Sequence, residues 1–420
     1  MPSTNIELQI TKAKALQKQL ALLSTEQKNQ FLQTLAELLL LNKKQILQAN
    51  QRDIELAKNK GLEPNLIDRL SLNENRIDDI AISVKDVALL QDEVFKIIDT
   101  KTNPANGLKI TRMRVPIGLI LMIYESRPNV TIDAAILCFK SGNGALLKCG
   151  SDSYFTSSIL HSLFCQALKS SGLESFIDCF ILLNPSQREL TGEVLQLDNL
   201  IDLVIPRGGK GLIKFVMQNS RIPVLKHLDG NCHLYIHAAA NLQKALLVAT
   251  NAKLRRTSVC GATETILIDA EIAHSFLPHL AKELNGKGCE LVGCDRAMQI
   301  PGLVKQASED DFYQEFLAAK LAIKIVDNLN QAILHIAKYS SGHTESIITE
   351  DKKAANIFMR AVDSAIVMHN ASTQFADGGE LGLGAEIGIS TNKLHARGPV
   401  ALEGLTTYKF VVEGNYSIRS

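Results

Sequence analysis

Residues 115–148 read VPIGLILMIYESRPNVTIDAAILCFKSGNGALLK, and this stretch decides the fold. Its first part is a continuous apolar run, which predicts a strand buried on both faces. A polar loop at 125–129, an apolar helix at about 131–139, a turn at 142–144 and a second buried strand at 145–148 follow. This order predicts a βαβ unit, which is the building block of a parallel sheet.

The same alternation of strands and helices continues toward the C-terminus. Up to residue 225 we predict helices at 153–170, 186–196 and 210–218 and strands at 177–183, 201–205 and 222–225. From His233 onward we predict strands at 233–237 and 263–268 and helices at 241–255 and 270–284. Repeated alternation of this kind indicates an α/β fold with a doubly wound parallel sheet, followed by a second α/β domain.

The composition limits the classes of function. Of 420 residues, 46% are hydrophobic and 21% are charged, which is ordinary for a globular chain and excludes a mostly disordered one. Lys and Arg number 45 and Asp and Glu number 44, so the formal net charge is +1. This balance gives no electrostatic reason to expect nucleic acid or an anionic membrane as a partner.

The sequence also indicates the compartment. The longest strongly apolar stretch, 115–124, is about half of the roughly 20 residues that a membrane helix needs. The N-terminal segment mixes charged and amide side chains, so we expect neither a membrane span nor a secretory signal. The eight cysteines contain no CxxC pair, which fits a reducing compartment, and we expect a cytoplasmic protein.

His227, Cys232 and His233 form an incomplete ligand set, so no metal site is expected.

Cys260 is the first candidate for chemistry. It lies in NAKLRRTSVCGATETILID, residues 251–269, where a helix rich in Ala and Leu gives way to a β-branched strand. Gly261 permits a sharp turn, and Arg255 and Arg256 lie just upstream. A positive, partly exposed environment stabilises the thiolate, which is the nucleophilic form of cysteine. The alternative is a buried structural cysteine.

Asn129 is the second candidate. It follows the first buried strand and Pro128, at the carboxyl end of the predicted sheet, where open α/β folds bind their ligands. An amide side chain at this place can donate a hydrogen bond to an oxyanion as it forms. The alternative is that Asn129 caps the helix that follows it.

Five segments, taken in order, resemble the aldehyde dehydrogenase superfamily. They are VPIGLILMIYESRPN, AAILCFKSGNGALLKCGSDS, VIPRGG, HLDGNCHLYI and RRTSVCGATE. The resemblance covers essentially the whole chain, and RRTSVCGATE, SGHTESI and GGELGLGAEIGISTNKLHARGP indicate a branch that acts on an acyl phosphate. The resemblance implies an aldehyde dehydrogenase-like α/β fold with a parallel-sheet cofactor domain, an α/β catalytic domain and a small β oligomerisation element.

The resemblance implies domain boundaries as well. The dinucleotide-binding domain would comprise residues 116–225 together with a helical lead-in at 1–105, and the catalytic domain would comprise 226–365. The β oligomerisation arm would comprise 106–115 and 400–420. A glycine-rich segment, 366–399, would lie over the active site. The glycine-rich run DGGELGLGAEIGIS, at 377–390, has few bulky apolar groups and is typical of a loop.

The resemblance assigns the site residues position by position. Cys260 matches the nucleophile of the superfamily, and Asn129 matches the amide that binds the oxyanion. For a bound NADPH or NADP⁺, the matching positions are Lys148 at the ribose, Ser151 on the adenosine side, Gly208 and Gly209 at the pyrophosphate, and Glu315 at the nicotinamide ribose.

One position departs from the hydrolytic members of the superfamily. They carry a glutamate that activates water to cleave the thioester, whereas this chain has His227, followed by Leu228, Asp229 and Gly230. Loss of a general base slows such a step about 100- to 10,000-fold, which suits an enzyme that exchanges its acyl group with phosphate. Asp229 remains an alternative base, because side chains two residues apart share a face of an extended segment.

The branch implies NADPH-dependent reduction of L-glutamyl 5-phosphate to L-glutamate 5-semialdehyde and phosphate through a Cys thioester, a step of proline biosynthesis. The substrate is anionic, and the candidate residues to bind it are Arg127, Arg255, Arg256, His395 and Arg397. Each arginine is alternatively an ion-pair partner on the surface or between domains. Further copies of the chain and the glutamate 5-kinase that supplies the substrate are candidate partners. The rival functions are a coenzyme A-acylating aldehyde dehydrogenase and a non-catalytic nucleotide-binding scaffold.

Overall fold

The computed structural model describes residues 4–185, 188–226, 228–302 and 305–419. The chain forms two compact units. Unit 1 comprises Met1–Lys226, Leu383–Gly388 and Val400–Ser420, and unit 2 comprises His227–Gly382 and Ile389–Pro399. Unit 2 therefore extends beyond residue 365, where the sequence analysis ends the catalytic domain, and the segment 366–399 is divided between the two units.

The helices and strands are numbered in chain order. The helices are α1 Thr4–Leu20, α2 Thr25–Leu41, α3 Lys43–Asn59, α4 Pro64–Leu70, α5 Glu74–Leu89, α6 Val130–Lys140, α7 Tyr154–Ser170, α8 Arg188–Val194, α9 Lys210–Asn219, α10 Leu242–Leu254, α11 Ala270–Gly286, α12 Asp295–Met298, α13 Leu329–Tyr339 and α14 Lys352–Ala361. The strands are β1 Ile97–Thr102, β2 Lys109–Pro116, β3 Leu119–Tyr124, β4 Gly144–Lys148, β5 Phe180–Leu182, β6 Leu203–Arg207, β7 Cys232–Ile236, β8 Thr263–Asp269, β9 Glu290–Gly293, β10 Lys305–Gln306, β11 Lys320–Val326, β12 Thr344–Ile348, β13 Ile366–His369, β14 Ile389–Ser390, β15 Gly398–Pro399 and β16 Thr406–Glu413.

The main sheet of unit 1 has the order β5-β4-β3-β6 within the described residues, and its strands are parallel. All six residues of β3 are buried, which explains the continuous apolar run that opens the sequence. The chain leaves β3, forms α6 and returns as β4 beside β3, so the predicted βαβ unit is confirmed. Phe31, Phe139, Phe164 and Phe180 pack their rings together and join the helical lead-in to this layer.

A second sheet of unit 1 contains strands from both segments, 106–115 and 400–420, that are expected to form an oligomerisation arm. The strand β2 pairs antiparallel with β16 from Lys109↔Glu413 to Pro116↔Thr406. The sheet also includes β1, which pairs with the other edge of β2 and lies within the range expected to be a helical lead-in. The strand expected at 222–225 was wrong: in this stretch only Val224 forms a β-bridge, to Val204. Pro223 beside it has no backbone N–H with which to continue a ladder.

Unit 2 is built on a parallel sheet of order β10-β9-β11-β8-β7-β12-β13 in the described part of the chain. Side chains alternate along β7: Leu234 and Ile236 join a core with α10 and α11, and Tyr235 joins a core with α13 and α14. Helices therefore cover both faces of the sheet, and the α/β fold with parallel sheets is confirmed. Residues 366–369, expected in the glycine-rich segment, instead form the edge strand β13 because they pair with β12.

Among the described residues, no helix combines the length and apolarity that crossing a membrane requires. Nor do those residues bring three or more His, Cys, Asp or Glu side chains together as a metal-binding group.

Candidate active site

The cofactor candidates of unit 1 meet at one end of its main sheet. Lys148 ends β4 and is paired in register with Ile123, while Tyr124, the last residue of β3, is paired with Arg207 at the end of β6. Parallel strands place their carboxyl ends at the same edge. Lys148, the loop that follows Tyr124 and the Gly208-Gly209 turn are therefore neighbours, while Ser151 lies exposed in the turn beyond β4.

The loop after β3 has a fixed shape. Ser126 is buried with φ of 49°, an uncommon left-handed conformation for a residue other than glycine, and its hydroxyl donates to Asp152. Farther along, the Tyr124 and Thr131 hydroxyls form a hydrogen bond of 2.8 Å that joins the end of β3 to α6. Arg127, half-buried, accepts the backbone N–H of Val130 on its carbonyl oxygen at 3.1 Å.

Asn129 occupies the N-cap position of α6, but its side chain makes no capping hydrogen bond among the described residues. Instead, its Nδ2 donates to Oδ2 of Asp133 at 2.9 Å. Burial raises the pKa of Asp133 to about 6, against the hydrogen bond from Asn129 and the positive charge of Arg207, which both lower it. The amide is thus held by a carboxylate one turn along the helix rather than by the helix end.

The Gly208-Gly209 turn presents exposed backbone at the N-terminus of α9, where the helix dipole favours anions. A Cβ on Gly208 would lie 2.4 Å from Oε2 of Glu125, whereas a Cβ on Gly209 would meet nothing within 4 Å. The backbone N–H of Gly209 donates to the same Glu125 oxygen at 3.2 Å. Oε2 of Glu125 already accepts from this donor, so a phosphate oxygen can use the Gly209 N–H only after Glu125 has moved away.

Cys260 lies in unit 2, in the loop between α10 and β8, and is half-buried. Two neighbouring segments fix the backbone of this loop. The thiol of Cys232 on β7 donates to the Cys260 carbonyl oxygen at 3.1 Å, and a Cβ on Gly230 would lie 2.1 Å from that oxygen. On another side, a Cβ on Gly261 would lie 3.0 Å from the carbonyl oxygen of Thr373.

Glu315 joins the same group of loops. Its Oε1 accepts the backbone N–H of Gly230 at 2.9 Å. The loop that carries Glu315 is held by Glu264 on β8, whose Oε1 accepts the N–H of Leu317 at 3.2 Å and whose other oxygen pairs with Lys253 of α10. Both side chains of this ion pair are fully buried, and burial raises the pKa of Glu264 to about 7 against the opposing effect of Lys253.

The predicted substrate cations of unit 2 fall into two places. Arg255 and Arg256 are exposed and adjoin Gln374, which accepts from Arg255 Nη1 at 3.5 Å and donates to the Arg256 carbonyl oxygen at 3.1 Å. Arg397 instead donates to the Asp363 carboxylate at 2.7 Å, and Arg397 and Lys393 lower the pKa of Asp363 to about 2. His395 is exposed in the same segment.

The loop that departs from the hydrolytic pattern is described only in part. His227 lies outside the described residues. Asp229 is half-buried in the segment that leads to Gly230, and it therefore lies on the same loop that contacts the Cys260 backbone.

Sequence reasoning missed several residues that shape the site. Asp133 had a signal, because it is the single acidic residue of the otherwise apolar helix α6 and lies four residues after Asn129, the spacing of neighbours on a helix. Glu125, Lys253 and Glu264 gave no such signal. Their partners come from other elements, and the pairing becomes visible only in the fold.

Comparison with known proteins agrees with this architecture. The family model described as "Aldehyde dehydrogenase family" matches residues 2–313. A gamma-glutamyl phosphate reductase of Bartonella quintana is 49% identical over 402 residues, which are 96% of this chain and 97% of that protein. The crystal structure of gamma-glutamyl phosphate reductase from Thermotoga maritima superposes with a TM-score of 0.94 at 44% identity, covering 98% of this chain and 99% of the other.

More distant structures share the fold. An engineered glycolyl-CoA reductase with bound NADP⁺ has a TM-score of 0.69 at 17% identity and covers 97% of this chain and 96% of its own. The α/β architecture and the agreement over nearly the full length lead to one conclusion: the chain belongs to the aldehyde dehydrogenase family, in its gamma-glutamyl phosphate reductase branch, and is an oxidoreductase.

Proposed function

We propose that this chain reduces L-glutamyl 5-phosphate to L-glutamate 5-semialdehyde and phosphate with NADPH, as a step of proline biosynthesis. The observation that carries the proposal is its similarity to gamma-glutamyl phosphate reductases over 96% of the chain. The half-buried Cys260, on a loop whose backbone is fixed by Cys232 and Gly230, supports it, because covalent catalysis needs a positioned nucleophile.

The chemistry follows from a thiolate at Cys260. Its sulfur attacks the acyl carbon of the substrate, and the oxyanion that forms is stabilised by the Asn129 amide and the Cys260 backbone N–H. Loss of one such donor typically costs about 3 kcal/mol of transition-state stabilisation. The carbon–oxygen bond to phosphate then breaks, which leaves a thioester on Cys260. NADPH, when bound, supplies the hydride that reduces this thioester. The thiohemiacetal then loses its proton and releases the aldehyde, which returns the thiolate.

The cofactor-binding residues of this proposal are those that the family resemblance assigns. Gly208 and Gly209 offer backbone donors to the pyrophosphate once Glu125 has released the Gly209 N–H. Lys148 offers the ribose contact and Ser151 a contact on the adenosine side. We assign Glu315 to bind the nicotinamide ribose. The hydrogen bond that its carboxylate accepts from the Gly230 N–H supports this assignment, because it fixes the position of the carboxylate. NADPH is preferred over NADH in this proposal because of the family resemblance.

The acyl group has to survive until hydride arrives. We propose that the segment 228–231 packs beside the Cys260 loop and that Asp229 does not activate water for hydrolysis of the thioester. The glycine-rich run at 377–390 would cover the site. Arg127, Arg255 and Arg256 are the proposed cations for the substrate, while Arg397 would have to leave Asp363 in order to bind it.

The same proposal covers location and partners. The reaction takes place in the cytoplasm, where reducing conditions keep Cys260 a thiol. Copies of the chain associate through β16, since β16 is a sheet edge with Phe410 and Val412 exposed, whereas β2 is already paired on both sides. The glutamate 5-kinase that makes the acyl phosphate would hand its product to this enzyme.

The test is an assay in the oxidative direction, with L-glutamate 5-semialdehyde and NADP⁺. We expect NADPH to form only when inorganic phosphate is present. Coenzyme A in place of phosphate separates the coenzyme A-acylating alternative, because only that enzyme would turn over with it. No reduction of NADP⁺ or NAD⁺ under either condition, with iodoacetamide leaving Cys260 unmodified, would support the non-catalytic scaffold and overturn the proposal.

A further inference from the structure

The amide of Asn129 is held by one contact on its own helix. Its Nδ2 lies 2.9 Å from Oδ2 of Asp133, one turn along α6, and both side chains are partly buried. The rest of α6 is buried and apolar, apart from Thr131 and the terminal Lys140. An acid at this place is therefore not explained by packing of the helix into its core.

The chemistry of the two groups fixes which way the amide faces. An ionised carboxylate only accepts hydrogen bonds, so it selects the orientation in which Nδ2, and not Oδ1, faces Asp133. One N–H of Nδ2 is used in this bond, and the second remains to donate elsewhere. Without the carboxylate the amide can rotate by half a turn and present its oxygen, which would repel an oxyanion instead of stabilising it.

Arg207 supplies the charge that keeps Asp133 in the accepting form. It ends β6, beside the end of β3, and its positive charge favours the ionised carboxylate. The pKa of Asp133, about 6 because of burial, leaves the group mostly ionised above neutral pH. Geometry and charge thus agree on a carboxylate that receives the Asn129 N–H.

We propose that Asp133 is a positioning residue for acyl transfer, which orients Asn129 so that a free N–H of its amide faces the oxyanion; this inference rests on the proposed function. Asp133 does not touch the substrate. Its action passes through Asn129, and this makes the two residues energetically coupled. A purely structural role, such as an acid in the first turn that complements the helix dipole, predicts no such coupling.

A double-mutant cycle tests the proposal on the full chain. Asp133→Asn, Asn129→Ala and the double variant are compared with the wild type for kcat and KM in the phosphate-dependent assay. We expect Asp133→Asn to lower kcat by about tenfold or more, since it weakens one oxyanion donor. The KM values for the semialdehyde and for NADP⁺ should stay within about twofold of the wild-type values. In the Asn129→Ala background the same change should have no further effect on kcat.

A second readout separates this inference from the proposed function. Acylation of Cys260 by p-nitrophenyl acetate forms a thioester and releases p-nitrophenolate, and it needs the oxyanion donors but neither cofactor nor natural substrate. If the wild type is acylated yet never uses the semialdehyde, the proposed function fails while the cycle is still measured. Equal effects of Asp133→Asn on acylation in both backgrounds, or no effect in either, would overturn the positioning role.

Two further variants serve as a control for the helix-dipole effect and as a substitute if Asp133→Asn does not fold. Glu74→Gln removes the exposed first-turn acid of α5 and matches the loss of helix-dipole interaction, so its kcat should equal that of the wild type. Should Asp133→Asn fail to fold, Asp133→Glu keeps the charge and displaces the carboxylate by one methylene. Its loss of acylation rate should again vanish in the Asn129→Ala background, and a loss that persists there would count against the proposal.

Discussion

Gly230 lies against the backbone of Cys260 so closely that a Cβ on Gly230 would stand 2.1 Å from the Cys260 carbonyl oxygen and 2.6 Å from its Cα. The atoms that a Cβ would meet belong to the Cys260 backbone, so no flexible side chain could move aside to make room for it. The segment that leads to Gly230 therefore supports the loop that carries Cys260, the proposed nucleophile. Glu315 completes this support by accepting the Gly230 N–H.

Gly230→Ala should displace the Cys260 loop, because its new methyl group has no space. A displacement of 1 Å at a reacting group costs roughly 100-fold in rate, so we expect kcat to fall by about that factor. Steady-state kinetics measure it. Gly286→Ala, at the end of α11, is the matched control, since its Cβ would meet nothing within 4 Å and activity should persist. A fully active Gly230→Ala enzyme would show that this contact does not position Cys260.

Cys260→Ala should abolish turnover but leave cofactor binding within about twofold of the wild type, because the thiol is needed for the covalent step alone. Turnover is measured spectrophotometrically and NADPH binding by fluorescence titration. In the wild type, iodoacetamide should inactivate the enzyme by modifying Cys260. Cys165→Ala is the control: Cys165 is half-buried as well, but burial raises its thiol pKa to about 11, so inactivation should proceed unchanged without it.

Lys253→Met should lower the free energy of unfolding by about 3 to 5 kcal/mol, because it leaves Glu264 buried without its partner. Urea unfolding at pH 8 measures the loss. Lys253→Met combined with Glu264→Gln removes both charges and keeps an oxygen to accept from Leu317, so it should recover at least half of the stability. A double variant no more stable than Lys253→Met would contradict this account of the pair.

His335 should make the protein less stable in acid. Burial lowers its pKa to about 2, assisted by the electrostatic effects of His233, Lys324 and Lys338. Since the unfolded chain binds this proton near pH 6.5 and the folded one does not, the contribution is full above pH 6.5 and is lost as pH falls. The loss is about 1 kcal/mol between pH 6 and pH 5.

His335→Phe isolates that contribution. The ring contacts of His335 with Phe312 and Tyr339 suit a phenyl group, so the variant should fold. Urea unfolding at pH 8, 6 and 5 should give a difference between variant and wild type that grows in favour of the variant as pH falls. A difference that is constant across this range would show that His335 takes up its proton in the folded protein.

Phe410→Lys should weaken association of copies. Its ring is 61% exposed on β16, and a charge there opposes burial in an interface. Light scattering after size-exclusion chromatography should show a smaller species than the wild type at equal concentration. Leu41→Lys, on the similarly exposed end of α2, is the control and should leave the mass unchanged. Equal masses for wild type and Phe410→Lys would remove β16 from the interface.

Local patterns were enough for much of the architecture. The fully apolar run before Tyr124 predicted β3, and the polar loop with Asn129 was placed correctly at the carboxyl end of the sheet. The strand expected around Val224 failed, because strand pairing depends on a partner and on a free N–H that Pro223 lacks. Asp133 was within reach of sequence reasoning through its spacing from Asn129, but its hydrogen bond to the Asn129 amide is seen only in the fold.

The sequence by itself determined the alternation of strands and helices over 119–219 and 232–286, the α/β class and the positions of Cys260 and Asn129 at loops after apolar segments. These depend on periodicity and on neighbours within a few residues. The tertiary structure alone decided that Gly230 presses on Cys260, that Lys253 meets Glu264 in a buried pair and that Glu125 reaches Gly209. Such contacts join segments far apart in the chain, and their distances are set by sheet pairing and packing, which no local pattern of side chains records.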